Sequence, residues 1–197
     1  MSYVCGLDLG QAADYTALVI VRVSAERPPY FDCVELWRFP LQTPYPAVVS
    51  EVERLLETGP LRSQCSLVLD ATGCGRPVAD MFREAHVPRP IAVSIHGGDT
   101  LSRDGVHYRV PKRDLVGIVQ VLLQERRLRI AQALPEARTL QQELLNFKVK
   151  IDPLTAHDSY SAWREGQHDD LVLALALACW WGNYRQGKRA GVIPLHF

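Results

Sequence analysis

The sequence has no long hydrophobic run. Its longest apolar stretch, Leu171 to Trp181, is too short to cross a bilayer. The opening, Met1-Ser2-Tyr3-Val4, enters a strand pattern directly, with no basic leader and no signal-peptide core. These absences predict a soluble, cytoplasmic protein with no membrane partner. Cysteine is scarce and unpatterned: Cys5, Cys33, Cys65, Cys74 and Cys179 are odd in number, and none shows C-x-x-C spacing. That argues against a disulfide framework and a structural zinc site, and the thiols read as small buried apolar groups. Cys74, between two glycines, is the one expected to be exposed. Neither a Gly-Lys-Ser/Thr P-loop nor a dinucleotide fingerprint is present, because Ala71-Thr72-Gly73-Cys74-Gly75 matches neither pattern. There is no helix-turn-helix, zinc finger, internal repeat or low-complexity segment. The net charge is zero, so the chain carries no global signature of nucleic-acid binding.

What is present suits one α/β domain. The 197 residues, 47% apolar and 22% charged, can bury a substantial core. Tyr3 to Leu9, Thr16 to Val23 and Tyr30 to Phe39 read as an opening antiparallel meander. Pro44 to Thr58 follows as a helix with Val48, Val49, Val52, Leu55 and Leu56 on one face. Cys65 to Asp70 is a wholly apolar strand closed by an acid, suited to the centre of a sheet covered on both sides. A helix over Gly75 to Ala85, a strand over Ile91 to Ile95 and a hairpin turning at Asp104-Gly105 come next. Helices over Pro111 to Glu125 and Leu134 to Asn146 follow, then a strand or loop carrying Lys148 and Lys150. A buried helix starts near Asp169. The order predicts a mixed sheet of five or more strands flanked by helices on both faces, as one domain over residues 1–181. Residues 182–197, with Arg185, Lys188 and Arg189, read as a flexible basic tail.

Chemistry enters with the carboxylates. Asp8 ends the first strand and Asp70 ends the apolar one, which places each acid at a strand's C-terminal end. Asp169 and Asp170 open the last helix, whose dipole favours negative charge at that end. Buried acids gathered together are unfavourable unless a cation neutralises them. A point where these four meet would offer hard oxygen ligands to Mg²⁺ or Mn²⁺. Two such ions could bridge a phosphate for in-line hydrolysis. Each acid alone has an ordinary explanation as a turn former or helix cap; the combination favours chemistry. His168 could bond a neighbouring carboxylate or cap the helix, and Lys150 could counter phosphate charge. Asp14 reads as a turn residue.

The stretch from Leu101 to Lys150 holds ten Lys/Arg against five Asp/Glu, a local excess of +5. It reads either as solvated helix faces or as a phosphate-contacting flank. Arg103, Arg109, Lys112 and Arg113 are the candidate DNA contacts.

Four segments carry a resemblance. Gly6-Leu7-Asp8-Leu9-Gly10 through Asp14-Tyr15-Thr16-Ala17-Leu18, Leu69-Asp70-Ala71-Thr72-Gly73, Tyr108-Arg109-Val110-Pro111-Lys112-Arg113-Asp114-Leu115, and His168-Asp169-Asp170-Leu171-Val172-Leu173-Ala174 occur in one order. Together they resemble the nuclease domain of the large terminase subunit of tailed bacteriophages. The resemblance spans roughly Tyr3 to Trp181. It implies a ribonuclease H-like fold and a two-metal endonuclease that cuts concatemeric viral DNA during packaging, in the host cell cytoplasm. It implies Asp8, Asp70, Asp169 and Asp170 as metal ligands, double-stranded DNA as substrate, and an ATPase motor and portal protein as partners. Large terminases carry an ATPase motor before the nuclease, and no P-loop occurs in this sequence, so translocation is not assigned to it.

Three rivals compete. A Holliday-junction resolvase shares the fold and would prefer four-way junctions. A packaging or scaffold module would keep the acids for structure alone. Actin-like ATPases and sugar kinases also open on a strand and Asp-x-Gly, but they need about twice this length and an adenosine motif that is missing here.

Overall fold

A computed structural model describes residues 1–10, 14–72, 75–85, 87, 90–149 and 169–189. The chain begins with β1 (Ser2–Asp8), β2 (Ala17–Val23) and β3 (Phe31–Arg38), then α1 (Tyr45–Leu56), the single turn α2 (Leu61–Gln64), β4 (Cys65–Asp70), α3 (Gly75–Glu84) and β5 (Ile91–His96). There follow β6 (Ser102–Asp104), β7 (His107–Pro111), α4 (Lys112–Gln124), β8 (Leu128–Ile130), α5 (Ala137–Val149) and α6 (Asp170–Arg189). The strands form one 8-stranded sheet in the order β6-β7-β5-β4-β1-β2-β3-β8. β1, β2 and β3 make the expected antiparallel meander, while β1, β4, β5 and β7 run parallel to one another. Parallel strands put their carboxyl ends on one edge, and that edge carries Asp8 and Asp70.

Two apolar layers cover the sheet. On one face, Val4, Val68 and Val93 pack with Val119, Leu122 and Leu140 and with most of the apolar run of α6. On the other, Cys5, Leu7, Leu67 and Leu69 pack against Val48, Val52 and Leu56 of α1 and Phe82 of α3. Covering both faces explains why β1 and β4 read as continuous apolar runs rather than alternating ones. The first half of α6, Leu171 to Trp181, is apolar around its circumference because it lies between the sheet and α4 and α5. Cys5, Cys33, Cys65 and Cys179 are buried free thiols, as the composition implied; Cys74 lies outside the described residues.

Gly6 decides where α6 sits. A β-carbon added there would lie 1.9 Å from the carbonyl oxygen of Ala174, so helix backbone rests directly on strand backbone. At the far end, Arg185 Nη1 donates to Ser66 Oγ at 2.9 Å, so α6 runs antiparallel to β1 and β4. Its first turn therefore faces the strands' carboxyl ends. Gly6→Ala should displace α6 and destabilise the protein by up to about 3 kcal/mol, the upper part of the usual overpacking range. Urea unfolding of the variant and parent checks this. A midpoint unchanged by the added methyl would mean that the helix does not rest there.

Three boundaries differ from expectation. α6 does not stop at Trp181 but continues to Arg189, because Gly182 lets the helix pass close to Phe31 and Val23. Residues 190–197 of the expected tail lie outside the described residues. α5 extends through Lys148, where a strand or loop was expected. β8 has no three-residue sequence signature; it exists through parallel pairing with β3, with Phe31 N–H donating to Arg127 O at 2.8 Å. Among the described residues, no helix is long and apolar enough to cross a membrane.

Candidate active site

Asp8 and Asp70 follow the paired residues Leu7 and Leu69 of adjacent parallel strands, so they stand side by side at the sheet edge. Strand periodicity sets their direction. Val4 and Val68 face α6, and residues two and four further along share that face, which gives Gly6 and Asp8 on β1 and Asp70 on β4. Both acids are buried. Asp70 is held by the residue after its turn: Thr72 N–H donates to Asp70 Oδ1 at 2.8 Å, and Thr72 Oγ1 donates to the same oxygen. Thr72 Oγ1 in turn accepts Ile95 N–H at 2.8 Å, which ties the acid to β5.

The start of α6 supplies the next acids. Asp169 O accepts Leu173 N–H at 3.0 Å, so Asp169 is the residue just before the first helical turn and Asp170 is the first within it. A capping carboxylate would ordinarily take the amide of Val172. Instead Val172 N–H donates to Glu143 Oε2 at 3.1 Å, from α5. Glu143 is buried, and its Oε1 makes no hydrogen bond. Sequence reasoning missed this residue. The available signal was an acid lying in the buried stripe of Ala137, Leu140 and Leu144 on α5.

A second missed residue is Arg38. β2 and β3 shift register between Ile20 and Val21, where Ile20 faces Glu35 and Val21 faces Cys33. This bulge reverses the alternation on β3: Phe31 and Cys33 face α6 before it, and Leu36 faces α6 after it. Arg38, two residues beyond Leu36, therefore faces α6 as well. It pairs with Ala17, which pairs with Asp8, so one row across the sheet reads Asp8, Ala17, Arg38. Arg38 Nη2 lies 3.6 Å from Asp170 Oδ2, and its guanidinium stacks 3.8 Å above the Tyr15 ring.

The acids feel one another. Burial raises the Asp8 carboxyl well above the usual range, and the charges of Asp70, Asp170, Asp169 and Asp14 raise it further. Glu143 is pushed up to about 7, first by burial and then by Asp170 and Asp169, against the lowering pull of Val172 N–H and Arg38. Asp14, expected to serve only a turn, thus adds its charge to the site. Among the described residues, no three His, Cys, Asp or Glu side chains already stand close enough to enclose one ion. The acids share a field, and coordination would require their side chains to draw inward. The donor set nevertheless fits a hard divalent cation: buried carboxylate oxygens, one of them on Glu143 lacking any hydrogen bond.

His168 and Lys150 lie outside the described residues. The candidate DNA contacts divide by position. Lys112 and Arg113 open α4 at the same sheet edge as Asp8, and Arg113 is committed to Asp99, with Nη1 to Asp99 Oδ1 at 2.6 Å. Arg103 and Arg109 are exposed on the β6–β7 hairpin, beyond β5 from the acids. Arg103 Nε donates to Gly105 O at 2.7 Å.

No family model and no curated protein matches this sequence. Solved structures do match in shape. The large terminase nuclease from thermophilic phage G20c superposes with TM-score 0.60 at 18% identity, over 90% of this chain and 80% of that one. The large terminase of another thermophilic bacteriophage matches with TM-score 0.57 at 11% identity, over 93% of this chain but only 39% of its own. The Mn-soaked human cytomegalovirus terminase nuclease domain matches with TM-score 0.53 at 12% identity, over 90% and 81%. The chain has the fold of large-terminase nuclease domains, the ribonuclease H-like mixed sheet flanked by helices.

Proposed function

We propose that this chain is a metal-dependent DNA endonuclease that cuts concatemeric viral DNA during genome packaging, with low sequence specificity. The observation that carries the reading is the field at Asp8: Asp70 at the end of β4 and the neighbouring Asp169 and Asp170 at the start of α6 all act on one buried carboxyl. Such an arrangement of charged carboxylates costs stability that a bound cation would offset. The shared fold with terminase nucleases adds phosphodiester hydrolysis by analogy, and the site's acids carry the reading.

Asp8, Asp70, Asp170 and Asp169 would hold two Mg²⁺ or Mn²⁺ ions. Bound there, the ions would supply an activated water and charge stabilisation for the departing 3′-oxygen. The chain's own groups do the rest. Thr72 fixes one oxygen of Asp70. Glu143 accepts the Val172 amide and so holds the first turn of α6. The N-terminus of α6 adds a favourable dipole for anions. Lys112 stands at the same edge to meet the DNA backbone, Arg113 would join it only by leaving Asp99, and Arg103 and Arg109 lie further out, so affinity should be salt-sensitive and largely blind to sequence. The processive contacts would come from an ATPase motor and a portal protein acting with this domain.

The test is nicking of supercoiled double-stranded DNA. Cleavage should need Mn²⁺ or Mg²⁺ and stop with chelator. No cleavage with either ion would leave the scaffold reading. Strong preference for a four-way junction over linear duplex would make the chain a resolvase instead.

A further inference from the structure

Arg38 is the residue that neither the motifs nor the proposed chemistry absorbs. It is a guanidinium with only 15% of its side chain exposed, set at 3.6 Å from an Asp170 side chain that is 8% exposed. That separation makes an ion pair but exceeds a hydrogen bond, and Arg38 Nε and Nη2 make no hydrogen bond at all. Buried guanidinium groups are ordinarily locked by bidentate contacts to a carboxylate. This one is held by its face, on Tyr15, while its donor edge is aimed at acids without being fastened to them. Its place is built by the β3 bulge, which turns Arg38 from the far layer into the row with Asp8. Its charge also acts on Glu143.

We propose that Arg38 is a resident counter-charge of the carboxylate site, holding Asp170 in the metal-free protein and yielding it when a divalent cation binds. The inference rests on the reading of these acids as a metal centre. Arg38 is then a positioning residue whose loosely docked guanidinium competes with the metal for Asp170. The competition keeps the empty site foldable and sets how tightly the ion is held. A residue that merely oriented a ligand would act in the opposite direction, because removing such support typically weakens metal binding by roughly 10–100-fold.

Mn²⁺ titration by calorimetry separates the two roles. R38Q should bind Mn²⁺ about tenfold more tightly than the parent, because one positive charge beside the ligands is gone. Its metal-free melting temperature should fall, and saturating Mn²⁺ should raise it by more than in the parent. R38K, which keeps the charge, should return affinity towards the parent's. Should R38Q fold poorly, Tyr15→Leu provides the second route: losing the stacking ring should loosen Arg38 and tighten Mn²⁺ binding to a smaller extent. Unchanged or weaker Mn²⁺ binding in R38Q, or in Tyr15→Leu if R38Q does not fold, would overturn the proposal. A parent protein that binds no Mn²⁺ would instead sink the metal-centre reading itself.

Discussion

Asp8→Asn should leave a folded protein that has lost metal-dependent cleavage, by roughly a thousandfold or more. The magnitude follows from what a metal ligand contributes: several kcal/mol of charge stabilisation in the transition state, at about 1.4 kcal/mol per tenfold in rate. Stability should move the other way. Asp8 is buried at the centre of a negative field from Asp70, Asp170, Asp169 and Asp14, so an amide of the same shape removes repulsion. Without metal, the variant should melt at the same temperature or a few degrees higher, at about 2–4 °C per kcal/mol for a domain of this size. The combination is diagnostic. A mutation that harms folding lowers activity and stability together; loss of a ligand separates them. Plasmid nicking in Mn²⁺ and thermal melting in chelator measure the two quantities on one sample. A variant that cuts like the parent would remove Asp8 from the mechanism.

The choice of substitution matters more at Asp70. Asn keeps an oxygen to accept from Thr72 N–H and Oγ1, whereas Ala releases Thr72 and slackens its link to Ile95. Asp70→Asn should therefore reproduce the Asp8→Asn pattern. Asp70→Ala should lose the same activity and about 1 kcal/mol of stability more, the net value of a hydrogen bond. Comparing the two melts in chelator checks this.

How much of the site was readable from residues depends on how far each signal travels along the chain. Asp8 and Asp70 end local apolar runs, so their position at strand ends was legible without knowing the pairing. That β1 and β4 are neighbours is a long-range fact that periodicity along one strand cannot supply. Asp170 needed the helix direction, which Gly6 and Ser66 determine through contacts far apart in sequence. Arg38 was invisible for a definite reason. Alternation counted from Phe31 assigns it to the opposite layer, and only the register shift opposite Ile20 and Val21 reverses that count. Glu143 hid for a milder reason: acids on helices are usually solvated, and this one reveals itself only by sharing the buried stripe of Leu140. β8 has too few residues for any period and is created by its partner strand.

Glu143 also sets the second large effect, a stability that falls with rising pH when no metal is present. Its folded carboxyl is pushed up to about 7 from an ordinary value of 4.5. Between those values the native state holds a proton that the unfolded chain has released, so the native state binds more protons and loses stability as pH rises. Asp8, raised above its ordinary 3.8, acts with the same sign. From pH 5 to pH 8 the Glu143 contribution alone is on the order of 3 kcal/mol, because each tenfold change in proton affinity is worth about 1.4 kcal/mol. Glu143→Gln should flatten much of this slope, since the amide cannot ionise yet still offers an oxygen to Val172 N–H. Mn²⁺ should oppose the slope, because metal binding favours ionised ligands and strengthens as they lose protons. Urea unfolding at several pH values, in chelator and in Mn²⁺, tests all three statements. A metal-free stability that climbs between pH 5 and 8 would show that these acids are ionised and compensated in the empty site, and that no cation is needed to hold them together.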